Sequence, residues 1–178
     1  MTSLFRPRFQ ARFLPTAGTA VCLLLSLHSA ATSAHQVPSN PVILKELRMQ
    51  HITGSFDLKL SPQAAAPGIE AAKLGRQGIV KQFHGDLNAR SLGEMLAAGT
   101  EVKGSAGYVA IERVNGSLQG KKGSFVLIHT GIMTRGQAQL TVQVVADSGT
   151  DELTGLTGQM SIQISNGQHF YTFDYTLP

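Results

Sequence analysis

Apolar and polar residues alternate along several short stretches of the chain, beginning with GSFDLKLSP at residues 54–62. The apolar face of this stretch consists of Phe56, Leu58 and Leu60. Its charged face consists of Asp57 and Lys59. A period of two with one polar face is typical of a half-exposed β-strand. Pro62 has no amide hydrogen for a sheet ladder, so the strand is predicted to end there.

The next segment, residues 63–77, has no such alternation and is predicted to be a loop. Pro67-Gly68 and Gly75 bracket a stretch, residues 69–74, in which a single helical turn would fit. Residues 78–99 mix apolar and polar residues, and two structures remain open for them. They form either one long bulged strand or a hairpin bent near Gly85-Asp86.

The rest of the chain consists of short apolar runs separated by turn-forming residues. The runs are YVAIERV, SFVLIHTGIM, LTVQVVAD, TGQMSIQIS and HFYTFDYTL. Further turns are predicted at residues 136–137 and 147–149. Evenly spaced strands with short turns and no sustained helical period are typical of an antiparallel barrel or sandwich.

The last two runs give the strongest hairpin signal. Asn166-Gly167 between them favours a two-residue type I′ turn, which would pair Ile164 with His169 and Ile162 with Tyr171. The final strand carries aromatic residues on both faces, which a solvated face would not need. A closed barrel fits this pattern, with a ligand inside or a partner subunit outside. We therefore predict an all-β fold, a single antiparallel β-barrel of about 7–8 strands.

The N-terminal residues have a different pattern. Three arginines and no acid precede an apolar run that ends in small residues. This order predicts a cleavable secretory signal peptide over residues 1–34, cut after Ala34 or, as second choice, after Ala31. The alternative is an uncleaved membrane anchor, for which the apolar run is short. Residues 35–48 are predicted to be a flexible leader and residues 49–178 the β-barrel domain. The expected location is therefore periplasmic or secreted.

Removing the signal changes the charge balance. The whole chain has a formal charge of +4 from 15 basic and 11 acidic residues, and three of the basic residues lie in the predicted signal. The nearly neutral remainder has no basic run between aromatics, so nucleic-acid binding is not expected. Cys22, the only cysteine, also lies in the signal, which excludes disulfides and cysteine metal sites from the domain. No second run could span a bilayer, so no membrane association is expected after cleavage.

Two ionisable residues interrupt apolar runs, Glu112 in YVAIERV and His129 in SFVLIHTGIM. If Gly120-Lys121 is the turn between these runs, the expected cross-strand pairs are Glu112 with His129, Val114 with Leu127 and Tyr108 with Met133. Asn115-Gly116 is a competing turn. A turn centred at Lys121-Lys122 would instead place Gly131 opposite Glu112.

A carboxylate beside an imidazole orients the ring and raises its basicity. Such a pair can act as a general base or bind a polar ligand group. Tyr108 lies on the same face of its strand as Glu112, and the small residue Ala110 between them leaves room for a ligand. The alternative is that Glu112 and His129 only satisfy each other in the core, or lie on a solvated outer face.

His84 and Asp86 are second candidates. They share a face only if Gly85 has regular strand geometry, and a turn stabilised by the Asp86 side chain is the preferred interpretation.

Other ionisable residues and motifs give little support to catalysis. Lys81 and Arg135 can contact an anionic group, although surface solvation is expected for both. His51 and His169 are isolated in the sequence. No cluster has metal-ligand spacing, no serine lies in a nucleophile elbow and no glycines form a phosphate loop. We therefore expect no metal and no cofactor.

Longer motifs connect the chain to a known family. They are KQFHGDL, GEMLAAGTEVKGSAGYVAIERV, GSFVLIHTGIMTRG, VVADSGTDELTGLTG and the ending FDYTLP. From about Gly54 to Pro178 they resemble the bacterial domain of unknown function 3224 family. The resemblance implies a small barrel like that of allene oxide cyclase, related to dirigent and lipocalin-like barrels, and implies no assigned activity. The signal peptide departs from many members, which begin at the first strand, and puts a cytoplasmic role in doubt.

The combined prediction is an exported β-barrel that binds a small, mostly apolar molecule in its interior, with Glu112, His129 and Tyr108 as polar contacts. One alternative is a cofactor-free isomerase or cyclase that uses Glu112 and His129 for proton transfer. Another is a non-catalytic structural domain with a filled core, whose outer surface forms a homo-oligomer.

Overall fold

A computed structural model describes residues 48–178. The predicted signal peptide, residues 1–34, and all but the last residue of the predicted leader, residues 35–48, lie outside the described residues. Within residues 48–178, no helix has the length and apolarity needed to cross a membrane.

Eight strands form a closed antiparallel barrel, in which each strand pairs with the next and the last returns to the first. They are β1 Gln50–Gln63, β2 Gly75–Gly85, β3 Leu87–Gly99, β4 Ala106–Leu118, β5 Lys121–Thr134, β6 Gln137–Val144, β7 Thr157–Ser165 and β8 Gln168–Thr176. The prediction of a single antiparallel β-barrel is confirmed. Closure also pairs the first strand with the last, which removes the free edges of an open sheet.

The segment 78–99 belongs to a hairpin rather than to one bulged strand. β2 and β3 pair from Gly75 with Ala97 to Phe83 with Ala89. Gly85, at the bend, has a φ of 101°, which glycine adopts without the steric cost of a Cβ atom.

The other early elements agree with the sequence in kind but not in length. β1 extends beyond the predicted residues 54–62 at both ends. The predicted loop contains a short 3-10 helix, Glu70–Ala72, where a single helical turn was expected.

The last hairpin has the predicted turn and register. Asn166 and Gly167 have φ values of 50° and 77°, as a type I′ turn requires. Ile164 pairs with His169, and Ile162 pairs with Tyr171. A turn that demands positive φ at two positions therefore fixed the register of these strands.

One end of the barrel, the closed end, is filled by aromatic and aliphatic side chains. Phe173 lies between Phe125 and Tyr175, with ring centroids 6.0 and 5.1 Å away. Leu153 and Leu156, from the segment between β6 and β7, are each 1% exposed and belong to the same core. This segment, which contains a second 3-10 helix at Asp151–Leu153, therefore plugs the closed end.

The same segment satisfies the backbone of β5 beyond the point where β6 ends. Pairing with β6 reaches only to Leu127 with Val144. Further along β5, the amides of Lys122, Ser124 and Val126 donate to side-chain oxygens of this segment. In that order, the acceptors are Glu152 Oε2 at 2.8 Å, Thr150 Oγ1 at 3.0 Å and Ser148 Oγ at 3.0 Å. Buried amides need such partners, so the plug is held to β5 by hydrogen bonds as well as by apolar contact.

The opposite end, the open end, is bounded by residues 64–74, 100–105, 135–136 and 166–167. Its inward strand positions are apolar but exposed: Leu60 46%, Met133 41%, Leu140 42% and Ile164 65%. β6 and β7 pair at two positions, Val142 with Met160 and Gln143 with Gln159. The two strands therefore diverge toward the open end and leave the inner wall accessible there.

Candidate functional site

Four polar side chains lie inside the barrel on four consecutive strands: Lys81 of β2, Ser91 of β3, Glu112 of β4 and His129 of β5. We call them the Glu112 cluster, and none of them is more than 5% exposed. They occupy inward positions because side chains alternate between the two faces of a strand. Lys81, for example, lies between the buried residues Ile79 and Phe83.

Glu112 is the centre of the cluster. Its Oε1 accepts hydrogen bonds from Lys81 Nζ at 2.6 Å and His129 Nε2 at 2.8 Å. Its Oε2 accepts a hydrogen bond from Ser91 Oγ at 2.6 Å. An ionised carboxylate is an acceptor only, so the hydrogen of the histidine contact lies on Nε2. Glu112 thereby fixes the ring orientation of His129 and leaves Nδ1 as the other ring nitrogen.

The electrostatics of the cluster keep Glu112 ionised. Burial alone raises the pKa of the Glu112 carboxyl group, because desolvation penalises its charged form. The hydrogen bond from His129, the charge of Lys81 and the hydrogen bonds from Lys81 and Ser91 outweigh burial and lower that pKa from 4.5 to about 2. The interior therefore holds a permanent carboxylate with three donors around it.

Lys81 also contacts aromatic rings. Its Nζ lies 5.0 Å from the ring centroid of Phe56 and 5.7 Å from that of Phe83. Ring faces attract a desolvated cation, so the two phenylalanines and Glu112 together compensate the loss of water around the ammonium group.

Glu112 and His129 meet, but not through the predicted register. The turn is Gln119-Gly120, with φ values of 47° and 81°, and not Gly120-Lys121. Glu112 therefore lies opposite Leu127, and His129 lies opposite Ala110. Both side chains still face inward because the error is two residues, a full period of the strand. They make their hydrogen bond across the diagonal.

The other predicted cross-strand partners shift in the same way. Val114 lies opposite Phe125 instead of Leu127, and Tyr108 lies opposite Gly131 instead of Met133. The competing turns at Asn115-Gly116 and Lys121-Lys122 are also wrong. Both residues of this turn need a positive φ. Glycine meets the requirement at the second position, but no sequence rule identifies Gln119 as the residue at the first.

Tyr108 lies on the same inward face as Glu112, four residues closer to the open end, and is partly buried. Its ring covers Gly131, where an added Cβ atom would overlap the Tyr108 ring. Burial raises the pKa of the Tyr108 hydroxyl group, so the phenol is neutral at ordinary pH. Its place near Ala110 agrees with the sequence, whereas its glycine partner was not foreseen.

Ser91 is the site residue that the sequence analysis missed, whereas Lys81 was named there as able to contact an anionic group. The expectation that Lys81 is solvated at the surface is wrong, because it is 5% exposed and paired with Glu112. The signal was available in the alternation of IVKQF, which puts Lys81 in phase with Ile79 and Phe83. Ser91 follows Leu87 and Ala89 in the same way along β3. Lysine side chains are seldom buried, so Lys81 was expected at the surface.

The remaining candidates lie apart from the cluster. His84 is exposed and contacts Asp57 Oδ2 of β1 at 2.8 Å instead of Asp86. The backbone carbonyl of Asp86 accepts a hydrogen bond from the Gln119 amide at 2.7 Å. The predicted turn at residues 85–86 is present, but this bond uses the Asp86 backbone and not its side chain.

His51, His169 and Arg135 also lie away from the cluster. His51 Nδ1 lies 2.7 Å from Asp174 Oδ1, and the His169 ring packs against Phe56 with centroids 5.0 Å apart. Arg135 is exposed at the turn between β5 and β6, with a φ of 49°. Within the described residues, no three His, Cys, Asp or Glu side chains are grouped as a metal site requires.

One polar atom near the open half of the barrel, Gln77 Oε1, is buried. Among residues 48–178, no group donates a hydrogen bond to it. Gln77 pairs with Met95 across β2 and β3, Met95 pairs with Ala110, and Ala110 pairs with His129. Gln77 and His129 thus belong to one cross-strand row of inward positions. A buried unpaired acceptor is uncommon in proteins, so this atom is a natural contact for a donor group.

The cavities of the described residues lie elsewhere. One of about 630 Å³ lies on the outer wall against residues 65–74, and one of about 610 Å³ lies across the outside of β7, β8, β1 and β2. Neither is lined by a member of the Glu112 cluster. The side chains of the Glu112 cluster are buried, and the accessible apolar wall begins above them, toward the open end.

Comparisons with known proteins agree with the motifs. A family model described as "Protein of unknown function (DUF3224)" matches residues 52–175. A crystal structure of a protein with unknown function from the DUF3224 family of Shewanella oneidensis MR-1, at 1.84 Å resolution, is 56% identical, with a TM-score of 0.68. The match covers 74% of this chain and 98% of that chain. No curated protein matches. The resemblance inferred from the sequence is confirmed.

Proposed function

We propose a function from the geometry of the chain, which belongs to the DUF3224 family, a family described as being of unknown function. The chain binds a small, mostly apolar molecule. The molecule enters at the open end of the barrel and lies against the inner wall. We include in this proposal that the protein is exported, as the N-terminal pattern predicts.

The observation that carries the proposal is the exposed inner wall of the open end. Leu60, Met133, Leu140 and Ile164 take inward positions yet remain 41–65% exposed. Exposed apolar surfaces of this kind are typical of interaction and ligand sites. The divergence of β6 and β7 beyond Met160 gives a lateral route to the same wall.

Two groups suit the polar end of such a molecule. Gln77 Oε1 is an unpaired buried acceptor, and a donor on the ligand would satisfy it. Tyr108 is a neutral phenol on the same side of the cluster and can donate or accept. Glu112 has all its strong contacts within the protein, so its role is to hold Lys81 and His129 and not to touch the ligand.

The same contacts argue against proton transfer by Glu112. A general base works best when its pKa lies near the working pH. The pKa of Glu112 is about 2, which makes the carboxylate a weak base. Binding is therefore the better-supported function, and an isomerase would have to depend on His129.

Native mass spectrometry tests the proposal. The full chain is expressed in a bacterial host and purified gently as the host processes it. We expect a mass excess that disappears on denaturation, and the released molecule should be mostly apolar.

Two substitutions on neighbouring residues of β6 provide the comparison. Leu140→Arg places a charge on the inner wall of the open end and should abolish the mass excess. Gln139→Arg places the same charge on the adjacent outward position and should leave it unchanged. An apo mass for the wild type under several expression conditions, or equal retention in both variants, would contradict binding at the open end.

A further inference from the structure

The outer wall of the barrel is not uniform. On β7 the outward positions are polar, as in Gln159, Ser161 and Gln163. On β3, β4 and β5 they include six exposed aliphatic side chains: Leu92 54%, Leu96 43%, Val109 51%, Ile111 56%, Ile128 37% and Ile132 52%. We call these six residues the aliphatic face.

The residues of the aliphatic face are neighbours. Leu96 pairs with Val109 across β3 and β4, and Ile111 pairs with Ile128 across β4 and β5. Directly opposite residues on one face of a sheet are in contact range. The face therefore forms one continuous surface instead of scattered single residues.

The loop before β2 extends the surface. Ile69 and Leu74 are 49% and 39% exposed. They line the outer cavity of about 630 Å³ together with members of the aliphatic face. The loop thus extends the apolar surface on one side of the aliphatic face, and its own apolar side chains are exposed to solvent as well.

Charged residues on this wall have both signs. Glu94 is held by Arg76, with Nε and Nη2 donating at 2.9 and 2.8 Å to Oε2. Arg113, opposite Leu92, is exposed and has no carboxylate within 4.0 Å among residues 48–178. The wall therefore offers an accessible carboxylate, Glu94, which is 59% exposed. It also offers the uncompensated guanidinium of Arg113, whose partner Leu92 lies two residues from Glu94 on β3.

A second copy of the same chain matches both charges at once. In a two-fold interface, residue i of one protomer meets residue j of the other, and the reverse contact follows by symmetry. Arg113 of one copy can then meet Glu94 of the other, twice per dimer. An anionic lipid surface would attract Arg113 but would offer no cation to the exposed Glu94 carboxylate. The mixture of signs therefore favours a copy of this chain over a membrane.

We propose that the aliphatic face is the contact surface of a homodimer, in which β3, β4 and β5 of two copies pack face to face around a two-fold axis. Contiguous exposed apolar surface of this kind marks an interaction site in soluble proteins. A stable interface buries about 800 Å² per partner. The surface proposed for this contact comprises the outer positions of three long strands together with the loop 64–74. The barrel ends stay free, so the proposed ligand site is unaffected.

Sedimentation equilibrium of the full chain, purified as the host processes it, tests the dimer. We expect twice the protomer mass for the wild type. Ile111→Asp, at the middle of the aliphatic face, should raise the dissociation constant at least about 100-fold. Gln163→Asp, a change at an exposed outward position of β7, should leave it unchanged. Circular dichroism should show that both variants remain folded, because both side chains point away from the core.

A charge reversal tests the symmetric ion pairs separately. Arg113→Glu should raise the dissociation constant about 10-fold, and the effect should shrink at high salt. A monomeric wild type at tens of micromolar would overturn the dimer, as would a dimer that survives Ile111→Asp. Flotation of a monomeric wild type with anionic phospholipid vesicles would assign the face to lipid instead. None of these results depends on ligand binding at the open end.

Discussion

The two halves of the barrel interior are built from the same alternation of residues but have different outcomes. At the closed end, Leu118 is 0% exposed and Phe173 is 0% exposed. At the open end, Leu60 and Ile164 take equivalent inward positions and are 46% and 65% exposed. The difference comes from what covers each end. The segment between β6 and β7 plugs the closed end with Leu153 and Leu156, whereas residues 64–74 bend onto the outer wall instead.

This contrast shows that strand pattern alone does not decide whether an inward residue is core. An apolar side chain is stabilised by removal from water, and that removal needs a neighbour on every side. The Glu112 cluster lies between the halves, with the aromatic residues Phe56 and Phe83 next to Lys81. It separates a packed region that stabilises the fold from an exposed region that is free to bind.

The largest effect is expected at this boundary. Glu112→Gln should lower the free energy of unfolding by about 3–5 kcal/mol, because Lys81 stays buried without its counter-charge. Urea denaturation measures the loss. Glu94→Gln removes a carboxylate of the exposed Arg76–Glu94 pair and should cost less than about 1 kcal/mol.

The double variant Lys81→Met with Glu112→Gln should recover most of the loss, because it removes both charges and leaves no unpaired ion. If the double variant is no more stable than Glu112→Gln, loss of the ion pair is not the cause of the destabilisation. Packing alone would then have to explain the stability of this part of the interior.

Truncation of matched leucines compares the two halves directly. Leu118→Ala at the closed end should cost about 2–5 kcal/mol, because it removes apolar contacts and leaves a cavity. Leu60→Ala at the open end should cost less than about 1 kcal/mol, since nearly half of that side chain is already in water. Urea midpoints with unchanged m-values would report both changes. Equal losses would mean that the open end is packed in solution.

Acid is expected to weaken the Glu112 cluster by protonating its carboxylate. The pKa of Glu112 is about 2, against an ordinary 4.5. Because the folded-state pKa is depressed, its contribution is fully present above about pH 4.5 and is lost as the pH falls toward 2. The shift corresponds to at most about 3 kcal/mol. The free energy of unfolding should therefore change less between about pH 5 and about pH 2.5 in the Lys81→Met, Glu112→Gln double variant than in the wild type. Equal acid sensitivity would contradict the ionised cluster.

The sequence predicted the fold better than the site. Alternation in 54–62 and the Asn166-Gly167 turn gave the strand type and one exact register, because both are local properties of backbone and side chain. The pair of Glu112 and His129 was predicted to share a face, and it does. Its register was wrong by two residues, because a turn of the form Gln-Gly is not distinguished locally from its neighbours.

Buried Lys81 shows a different limit. Its phase with Ile79 and Phe83 was visible in the sequence, but a lysine is normally solvated. The compensation comes from Phe83 on the same strand, Phe56 on β1 and Glu112 on β4. Only assembly of several strands brings Phe56 and Glu112 to Lys81, so a sequence rule applied to one strand could not find them.

The sequence by itself determined that the chain forms short antiparallel strands, where its last hairpin turns, and which residues share a strand face, because period and turn chemistry are local. The tertiary structure decided which inward residues are covered, that Lys81, Ser91 and His129 converge on Glu112, and that an aliphatic face remains outside. These features depend on barrel closure and on which loop covers which end, and both are set by contacts between residues far apart in the chain.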